Sequence, residues 1–312
     1  MVQGEHTTNR FEWPDLPRHV QGELEHRLDG RVHTARTQAG GFGHGMVARL
    51  SLTDGRTVFA KAIDSKDPLA EAYRAEAATA ACLPPTVAAP ALRFTLEEAG
   101  WFVMVFDDID GHMPRFDRPD ELAAVLTTIE QLAWALAPNP VAGVPDFADR
   151  YGPGFTRWRQ FADHGPPTDL DEWSLRNLDR LAELESTWPD HTDGDTLLHT
   201  DLRPDNLLID VDTGVWVLDW AWPCRGAAWI DLTAMAVSIA DAGIDPDPIL
   251  AVHPVSCDTD PAAIDAFLCA LLGYWTHNSR LPAPPRSPKL RPYQQHSAAV
   301  TRHWLRRRLA WT

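Results

Sequence analysis

One polar segment constrains this chain more than any other part of its sequence. Residues 199–210 read HTDLRPDNLLID, and VWVLD follows at 215–219. The apolar parts of these two segments predict a short β pair joined across residues 211–214. Asp201 and Asn206 lie five residues apart ahead of the first strand, and Asp219 ends the second.

These three residues carry the side chains that phosphoryl transfer needs. That reaction uses a carboxylate to orient and deprotonate the acceptor hydroxyl, oxygen ligands for magnesium, and positive charge near the phosphates. The H-x-D-x-x-x-x-N spacing matches a kinase catalytic loop, which makes Asp201 the candidate base. Asn206 and Asp219 are candidate metal ligands, because Mg²⁺ prefers oxygen donors. The alternative is a chance H-x-D beside an ordinary hairpin.

The motif continues in a way that is typical of one family. The sequence has DW at 219–220 in place of the D-F-G of protein kinases, within the run DWAWPCRGAAWIDL. This pattern resembles the aminoglycoside phosphotransferase and choline kinase family over roughly residues 30–235. The resemblance implies a bilobal, protein-kinase-like α+β fold with a small β-rich N-terminal lobe and a larger, mainly helical C-terminal lobe. It also implies ATP, with GTP possible, and Mg²⁺ as cofactors.

The resemblance assigns supporting roles around the motif. It implies that His199 orients the loop and that Asp231 braces it from the next helix, the alternative for Asp231 being a plain helix N-cap. Thr200 departs from the glycine common in the family, so a slightly different loop is expected, because a β-branched residue restricts the backbone. Arg203 either neutralises the transferring phosphate or faces solvent.

Lys61 stands in the apolar strand VFAKAI, in a chain with three lysines. Strand alternation places Phe59 and Ile63 on its side, and a lysine between apolar groups needs a partner. In protein kinases, the corresponding lysine contacts the α- and β-phosphates and pairs with a helix glutamate. Glu76 is the predicted partner and Glu71 the alternative. Lys61 could otherwise be an edge-strand lysine that discourages aggregation.

A glycine-rich segment, AGGFGHGMV at 39–47, precedes Lys61. Glycines let a backbone approach phosphate and point its N–H groups at the ligand. Gly41, Gly43 and Gly45 are therefore candidate nucleotide-binding residues, although such runs also occur as plain hairpin loops. The segment lacks G-x-x-x-x-G-K-[ST], which excludes the P-loop class.

The remaining pattern predicts two lobes, a nucleotide-binding lobe at 1–106 and a catalytic and acceptor-binding lobe at 112–312. The resemblance places a hinge at about 106–111, where adenine would bind the backbone near Phe106 and Asp108. Helix 67–83 is expected to begin with Asp67 as its N-cap. The periodicity predicts the other elements: strands at 31–37, 46–52, 57–63, 92–96 and 101–106, and helices at 119–137, 172–188, 260–275 and 295–311.

The net charge of −16 repels nucleic acid and anionic lipid, and it suits a cationic or sugar-like small molecule. The four cysteines form no C-x-x-C pair, which favours a reduced cytoplasm. The opening residues show no secretory signal, and no apolar run is long enough to span a membrane. We therefore expect no nucleic-acid or membrane partner. The sequence is compatible with either a monomer or a homodimer.

Three functions compete. The first is an antibiotic-type phosphotransferase, linked to resistance, that acts on an amino-bearing acceptor. The second is a metabolic kinase for an amino sugar, a choline-like alcohol or another metabolite, and the third is a catalytically silent nucleotide-binding protein. A protein kinase is disfavoured, because D-F-G and A-P-E are missing. Residues expected near the acceptor are acidic or aromatic: Asp163, Asp169, Asp171, Glu172, Trp220 and Trp222.

Overall fold

The computed structural model describes residues 8–212 and 214–312. Residues 1–7, where no secretory signal is expected, and Thr213, in the predicted hairpin connection, lie outside the described residues. The chain forms two compact units. The first combines the described residues up to Arg115 with Pro204–Pro223 and Ala283–Lys289, and the second combines Phe116–Arg203, Cys224–Pro282 and Leu290–Thr312. The lobe boundary at about 106–111 stays a prediction.

The first unit is built around a five-stranded antiparallel sheet of order β1-β2-β3-β5-β4. Gly55 and Gly100 take positive φ of 88° and 81° in the two hairpin turns, a conformation that glycine adopts without strain. The elements of this part are α1 (Arg18–Arg27), β1 (Val32–Thr37), β2 (Met46–Leu52), β3 (Thr57–Asp64), α2 (Ala70–Cys82), β4 (Leu92–Glu98) and β5 (Trp101–Asp107).

Strand alternation gives this sheet two apolar faces. Val58, Ala60 and Ala62 of β3 belong to a cluster with Val20 and Leu24 of α1. On the other face, Phe59 and Ile63 pack with residues of α2, among them Tyr73 and Ala77. Lys61 shares the α2 face by alternation, so its side chain points toward the helix and away from the α1 cluster.

A three-stranded sheet completes the first unit, with strand order β6-β8-β9. It contains β6 (Gly111–His112), β8 (Leu207–Asp210) and β9 (Val215–Val217), and a short 3₁₀ helix, Pro204–Asn206, leads into β8. The predicted second strand, 215–219, was two residues too long. Asp219 leaves the extended conformation with φ of 66°, and the Leu218 amide donates to the Asn206 carbonyl at 2.9 Å.

The second unit is mainly helical and has an aromatic core that includes the fully buried Trp158 and Trp188. Its only sheet among the described residues pairs β7 (Thr196–Leu198) with β10 (Cys224–Gly226). The helices are α3 (Pro119–Ala135), α4 (Phe147–Tyr151), α5 (Arg157–His164), α6 (Glu172–Arg176), α7 (Leu178–Ser186), α8 (Trp229–Asp241), α9 (Asp247–Val252), α10 (Pro261–Asn278) and α11 (Leu290–Leu309). No described helix is long and apolar enough to cross a membrane.

Three sequence expectations about helices were wrong. The last helix, α11, begins at Leu290, five residues before the predicted start at 295. Asp67 does not cap α2, because the chain first makes a turn and α2 begins at Ala70; the Asp67 carboxylate accepts the Leu69 amide at 2.9 Å within that turn. The predicted helix 172–188 is two helices. They are separated at Asn177, whose backbone leaves helical geometry with φ of −104° and ψ of 18°. Its backbone amide and its side-chain amide both donate to the Trp173 carbonyl, at 3.1 and 3.0 Å.

Candidate active site

Lys61 is the centre of a charged cluster in the first unit. Its ammonium group donates to both carboxylate oxygens of Glu76, at 2.6 and 2.8 Å, and to Asp219 Oδ1 at 2.9 Å. Glu76 projects from α2 toward the sheet and is 3% exposed. Glu71, the alternative partner, is exposed and pairs with Arg74 at 2.8 Å. Lys61 is therefore part of a buried ion pair and not an exposed edge lysine.

The electrostatics of this cluster follow from its burial. Burial alone would lower the pKa of Lys61, but the carboxylates of Asp219 and Glu76 outweigh that effect and raise it. Burial raises the pKa of Glu76 to about 7, against the opposing attraction of Lys61. The nearby Tyr73 phenol has its pKa raised to about 12, again mainly by burial. Lys61 thus keeps its proton at neutral pH, whereas Glu76 can exchange one.

Asp219 and Asn206 come from the ends of neighbouring segments of the small sheet. Asn206 ends the 3₁₀ helix before β8 and is buried, whereas the Asp219 side chain after β9 is 38% exposed. No cluster of three or more His, Cys, Asp or Glu side chains suited to a metal occurs in residues 8–212 and 214–312. One carboxylate and one amide nevertheless fit Mg²⁺, which takes its remaining ligands from phosphates and water.

The glycine-rich segment forms a loop ahead of β2. Gly40 and Gly41 have φ of 94° and 64°, and the Gly41 amide donates to Asp205 Oδ2 at 3.2 Å. Gly45 has a different role. A Cβ there would lie 2.6 Å from the Ala62 carbonyl oxygen and closer still to the Tyr73 hydroxyl, so close packing requires glycine. Gly43 leaves more room, with the Tyr73 hydroxyl 3.7 Å from such a Cβ.

Residues outside every recognised motif hold this loop. Arg10 donates to the Gly43 carbonyl at 2.6 Å and also to the Gly40 carbonyl. Burial lowers the pKa of Arg10, although Tyr73, Asp219 and Asp205 oppose that shift. Two hydroxyls add contacts to the loop carbonyls: Thr8 Oγ1 donates to Gly41 at 3.3 Å, and Ser287 Oγ donates to Phe42 at 2.6 Å. The sequence offered no signal for these contacts.

The predicted hinge residues lie at the end of the large sheet. Phe106 is buried on β5, paired with Phe59 on one side and Leu92 on the other. The Asp108 carboxylate accepts a hydrogen bond from Arg49 Nε at 2.7 Å, and Arg49 also donates to the Ile109 carbonyl at 2.8 Å. These contacts fix the chain after β5. Adenine binding at this backbone stays a prediction.

In the second unit, Asp231 organises the segment that contains the candidate base. Its carboxylate accepts the amides of His199 at 2.7 Å and Thr200 at 2.8 Å. Asp231 lies within the first turn of α8, where Ala228 is the N-cap residue, so the plain N-cap alternative does not apply. Burial raises the pKa of Asp231, opposed by His199 and by the two backbone amides.

Thr200 takes a backbone conformation that is unfavourable for a β-branched residue. Its φ is 64°, in the left-handed region that favours glycine. Asp231 holds its amide, and the Tyr151 hydroxyl donates to Thr200 Oγ1 at 2.8 Å. The threonine thus keeps the glycine-like conformation and gains a side-chain contact that glycine cannot make.

Asp201 follows Thr200 and presents its carboxylate partly to solvent, with 37% of the side chain exposed. Its amide donates to Nδ1 of the buried His199 at 3.2 Å, an orienting contact. Arg203 Nε lies 3.4 Å from Asp201 Oδ1, and its guanidinium stacks 5.3 Å from the Tyr293 ring centroid. The Arg203 side chain is only 11% exposed, so it is not a solvent-facing arginine.

The acidic residues expected near an acceptor are largely neutralised. Asp169 pairs with Arg280 at 2.9 Å, and Glu172 pairs with Arg176 at 2.5 Å. Asp171 caps α6 by accepting the Ser174 amide and pairs with Arg302 at 2.8 Å. Of the two tryptophans, Trp220 is buried and donates to the Val217 carbonyl at 3.2 Å, whereas Trp222 is 37% exposed.

Comparison with known proteins identifies the fold. A family model described as the phosphotransferase enzyme family matches residues 34–267. Similar solved structures include a choline/ethanolamine kinase family protein from Mesorhizobium loti, with 16% identity, a TM-score of 0.64, and coverage of 94% of this chain and 97% of that one. Another is a thermostable mutant of aminoglycoside phosphotransferase APH(4)-Ia with ADP and hygromycin B, with 12% identity, a TM-score of 0.62, and 94% and 99% coverage.

A third similar structure is spectinomycin phosphotransferase APH(9)-Ia with ADP and spectinomycin, at 11% identity, a TM-score of 0.56, and 93% and 94% coverage. A search of curated protein sequences finds no match to this chain. The predicted kinase-like α+β fold and the predicted family resemblance are confirmed.

Proposed function

We propose that this chain, which belongs to the phosphotransferase enzyme family, transfers the γ-phosphate of ATP to a hydroxyl group of a small molecule. The observation that carries the proposal is the ion-paired Lys61, whose ammonium binds Glu76 and Asp219 together. A buried lysine held by a helix glutamate is the arrangement with which kinases position the α- and β-phosphates. The solved similar structures that contain ADP support nucleotide binding.

Each candidate residue has a definite role in this proposal. Asp201 orients the acceptor hydroxyl and takes its proton as the oxygen attacks the γ-phosphorus. Lys61 binds the α- and β-phosphates, and the amides of the glycine-rich loop cover them. Asn206 and Asp219 would hold Mg²⁺, which neutralises charge on the phosphates when it is bound. Arg203 adds positive charge beside the base.

The acceptor class is the finer part of the proposal. The charge of −16 and the aminoglycoside and spectinomycin complexes of similar structures support an amino-bearing, antibiotic-type acceptor and hence a role in resistance. Three of the four acidic side chains expected to attract it, Asp169, Asp171 and Glu172, are ion-paired, which favours the second class, a metabolite hydroxyl. A cytoplasmic location belongs to this proposal, because ATP and reduced cysteines are found there.

Magnesium-dependent ADP formation tests the proposal. The acceptor panel contains aminoglycosides, spectinomycin, amino sugars, choline and neutral and acidic polyols, with Asp201→Ala as the inactive variant. Asp258→Asn is a matched control, because Asp258 is an exposed carboxylate in the second unit. Acceptor-stimulated ADP formation that Asp201→Ala abolishes and Asp258→Asn retains supports the proposal. Absence of magnesium-dependent ATP binding would leave a catalytically silent protein as the better account.

A further inference from the structure

Arg157 and Arg291 of the second unit lack carboxylate partners among the described residues, as do the exposed Arg180 and Arg306. Arg157 donates to Gln160 Oε1 at 2.7 Å, and Arg291 donates to Gln294 Oε1 at 2.8 Å and to the Pro282 carbonyl at 3.1 Å. All of these acceptors are neutral. Arg157 and Arg291 are both only partly exposed.

Their partners contrast with those of nearby arginines. Arg280, Arg302 and Arg308 each pair with an aspartate, at 2.9, 2.8 and 2.5 Å. The chain has 44 acidic and 28 basic residues, so carboxylates are plentiful. Arg157 Nε is also buried without a hydrogen-bond partner in the described part of the chain. A buried donor left unsatisfied costs free energy, which points to a partner supplied from outside the protein.

The two arginines lie where they can act on a substrate of Asp201. Tyr274 of α10 packs 5.8 Å from the Phe155 ring, just ahead of Arg157 in the chain. The charged groups that act on the Tyr274 phenol are Asp201, Arg291 and Arg157. Arg203, which lies 3.4 Å from Asp201 Oδ1, also stacks on the ring of Tyr293, two residues after Arg291 in α11. Asp201 and the two arginines thus lie in the same part of the second unit.

His277 lies one helical turn beyond Tyr274 and faces the same cations. Burial lowers the pKa of His277, and Arg157, Arg280 and Arg291 lower it further, so the ring is neutral at pH 7. Helix stability does not explain why arginine occupies these two positions. Arg157 is the first residue of α5 and Arg291 lies in the first turn of α11, and the helix dipole disfavours a cation at both positions.

We propose that the acceptor carries a negatively charged group, a carboxylate or a phosphate, and that Arg157 and Arg291 bind it while Asp201 receives the hydroxyl. The inference rests on the proposed phosphotransferase function and selects its second acceptor class, a metabolite hydroxyl, over an amino-bearing antibiotic. In the reaction, the acceptor oxygen forms a bond to the γ-phosphorus as the bond to the ADP oxygen breaks, and the hydroxyl proton passes to Asp201. Arginine suits this task, because its planar guanidinium binds carboxylate and phosphate through two parallel hydrogen bonds.

The overall charge of −16 does not oppose this assignment. Surface charges beyond about 8 Å are screened at physiological salt, whereas a partly buried cation acts on a bound anion directly. The net charge of the chain therefore acts on a bound acceptor more weakly than the two partly buried arginines do.

Matched three-carbon probes test the inference with little steric demand. They are glycerol, glycerate, glycerol 3-phosphate and 3-amino-1,2-propanediol, which share a diol and differ in charge. Binding to the protein saturated with Mg²⁺ and AMP-PNP is measured by calorimetry, so that nucleotide phosphates cannot occupy the arginines. Glycerate or glycerol 3-phosphate should bind at least about tenfold more tightly than glycerol and the amine. The comparison of these two anions distinguishes carboxylate from phosphate recognition.

Variants assign the effect to the two arginines. Arg157→Gln and Arg291→Gln should each remove the preference for the anion and leave AMP-PNP affinity unchanged. Arg157→Lys should keep part of that preference. Arg176→Gln, at an exposed arginine of α6, is the matched control. Equal binding of all four probes, no binding of either anion, or a preference that survives both glutamine variants would overturn the inference. In those cases retained magnesium-dependent ATP binding would leave the proposed function standing, and its loss would overturn that function as well.

Discussion

The Asp231 carboxylate accepts the Thr200 amide at 2.8 Å and thereby holds a threonine at φ of 64° immediately before the candidate base. A β-branched residue in this region costs about 1–2 kcal/mol, so the contact compensates for strain that the sequence places there. The direction of the Asp201 side chain depends on this backbone conformation.

Asp231→Asn should therefore weaken both stability and catalysis. The amide group keeps one acceptor oxygen but places an NH₂ donor against a backbone N–H. Leaving one buried amide unsatisfied should lower the free energy of unfolding by about 2 kcal/mol. Denaturant unfolding measures that loss, and kcat should fall while ATP affinity is kept. An unchanged kcat in a stable variant would contradict the bracing role of Asp231.

The raised pKa of Glu76 implies that pH affects activity and stability in opposite directions. Its pKa is raised by burial from 4.5 to about 7, so the folded protein binds this proton between pH 4.5 and 7 whereas the unfolded chain does not. The contribution of Glu76 to stability is therefore present below pH 4.5 and is lost as pH rises through 7. Nucleotide positioning needs the ionised form, so kcat/KM for ATP should fall as pH drops below 7.

The Glu76→Gln variant checks both parts of that prediction. It removes the titration, so its kcat/KM should lack the inflection near pH 7. From pH 5 to pH 8, the free energy of unfolding of the wild type should fall relative to that of Glu76→Gln. Parallel pH profiles for the two proteins would show that Glu76 does not titrate in this range.

Lys61→Met should disable nucleotide positioning. The substitution preserves much of the apolar stem but leaves Glu76 and Asp219 without their cation. Loss of the phosphate contact should reduce kcat/KM for ATP by about 10²-fold or more, the scale seen when a catalytic charge contact is removed. Lys66→Met, at an exposed lysine, is the control and should be close to wild type. Full activity of Lys61→Met would exclude the proposed role of Lys61.

Arg10→Gln should loosen the glycine-rich loop. Arg10 lies outside the matched family region, yet it binds the Gly40 and Gly43 carbonyls. Its loss should raise the KM for ATP by about tenfold with a smaller change in kcat, because the loop amides would no longer be held in place. Hydrogen exchange of residues 40–45 should accelerate. Arg18→Gln, at an exposed arginine of α1, should show neither change.

The sequence predicted those parts of the molecule that depend on local patterns. Strands β1 to β5 follow from alternation, and Lys61 follows from the rarity of a lysine between Phe59 and Ile63. The distant contacts of Arg10 and Tyr151 could not be predicted, because no local pattern shows which side chain reaches the glycine-rich loop or the Thr200 hydroxyl. The break at Asn177 was missed because residues 172–188 read as one helix, and the departure of a single residue from helical dihedral angles leaves no mark in that pattern.

The acceptor was the least predictable feature. The acidic residues between Asp163 and Glu172 suggested a cationic ligand, but ion pairs depend on which arginines the fold brings to them. Asp169 is paired with an arginine more than a hundred residues away in the chain. Composition cannot show such pairing, whereas the neutral partners of Arg157 and Arg291 become visible only in the folded structure.

Comparing Asp201→Asn with Asp219→Asn separates the proposed role of Asp201 as the base from that of Asp219 as a magnesium ligand. Nucleotide binding with and without Mg²⁺ is measured alongside magnesium-dependent ADP formation in both variants. We expect Asp201→Asn to lose turnover but keep magnesium-dependent ATP binding, and Asp219→Asn to lose the magnesium dependence of binding itself. Wild-type turnover in Asp201→Asn would exclude Asp201 as the base, and unchanged magnesium dependence in Asp219→Asn would exclude Asp219 as a metal ligand.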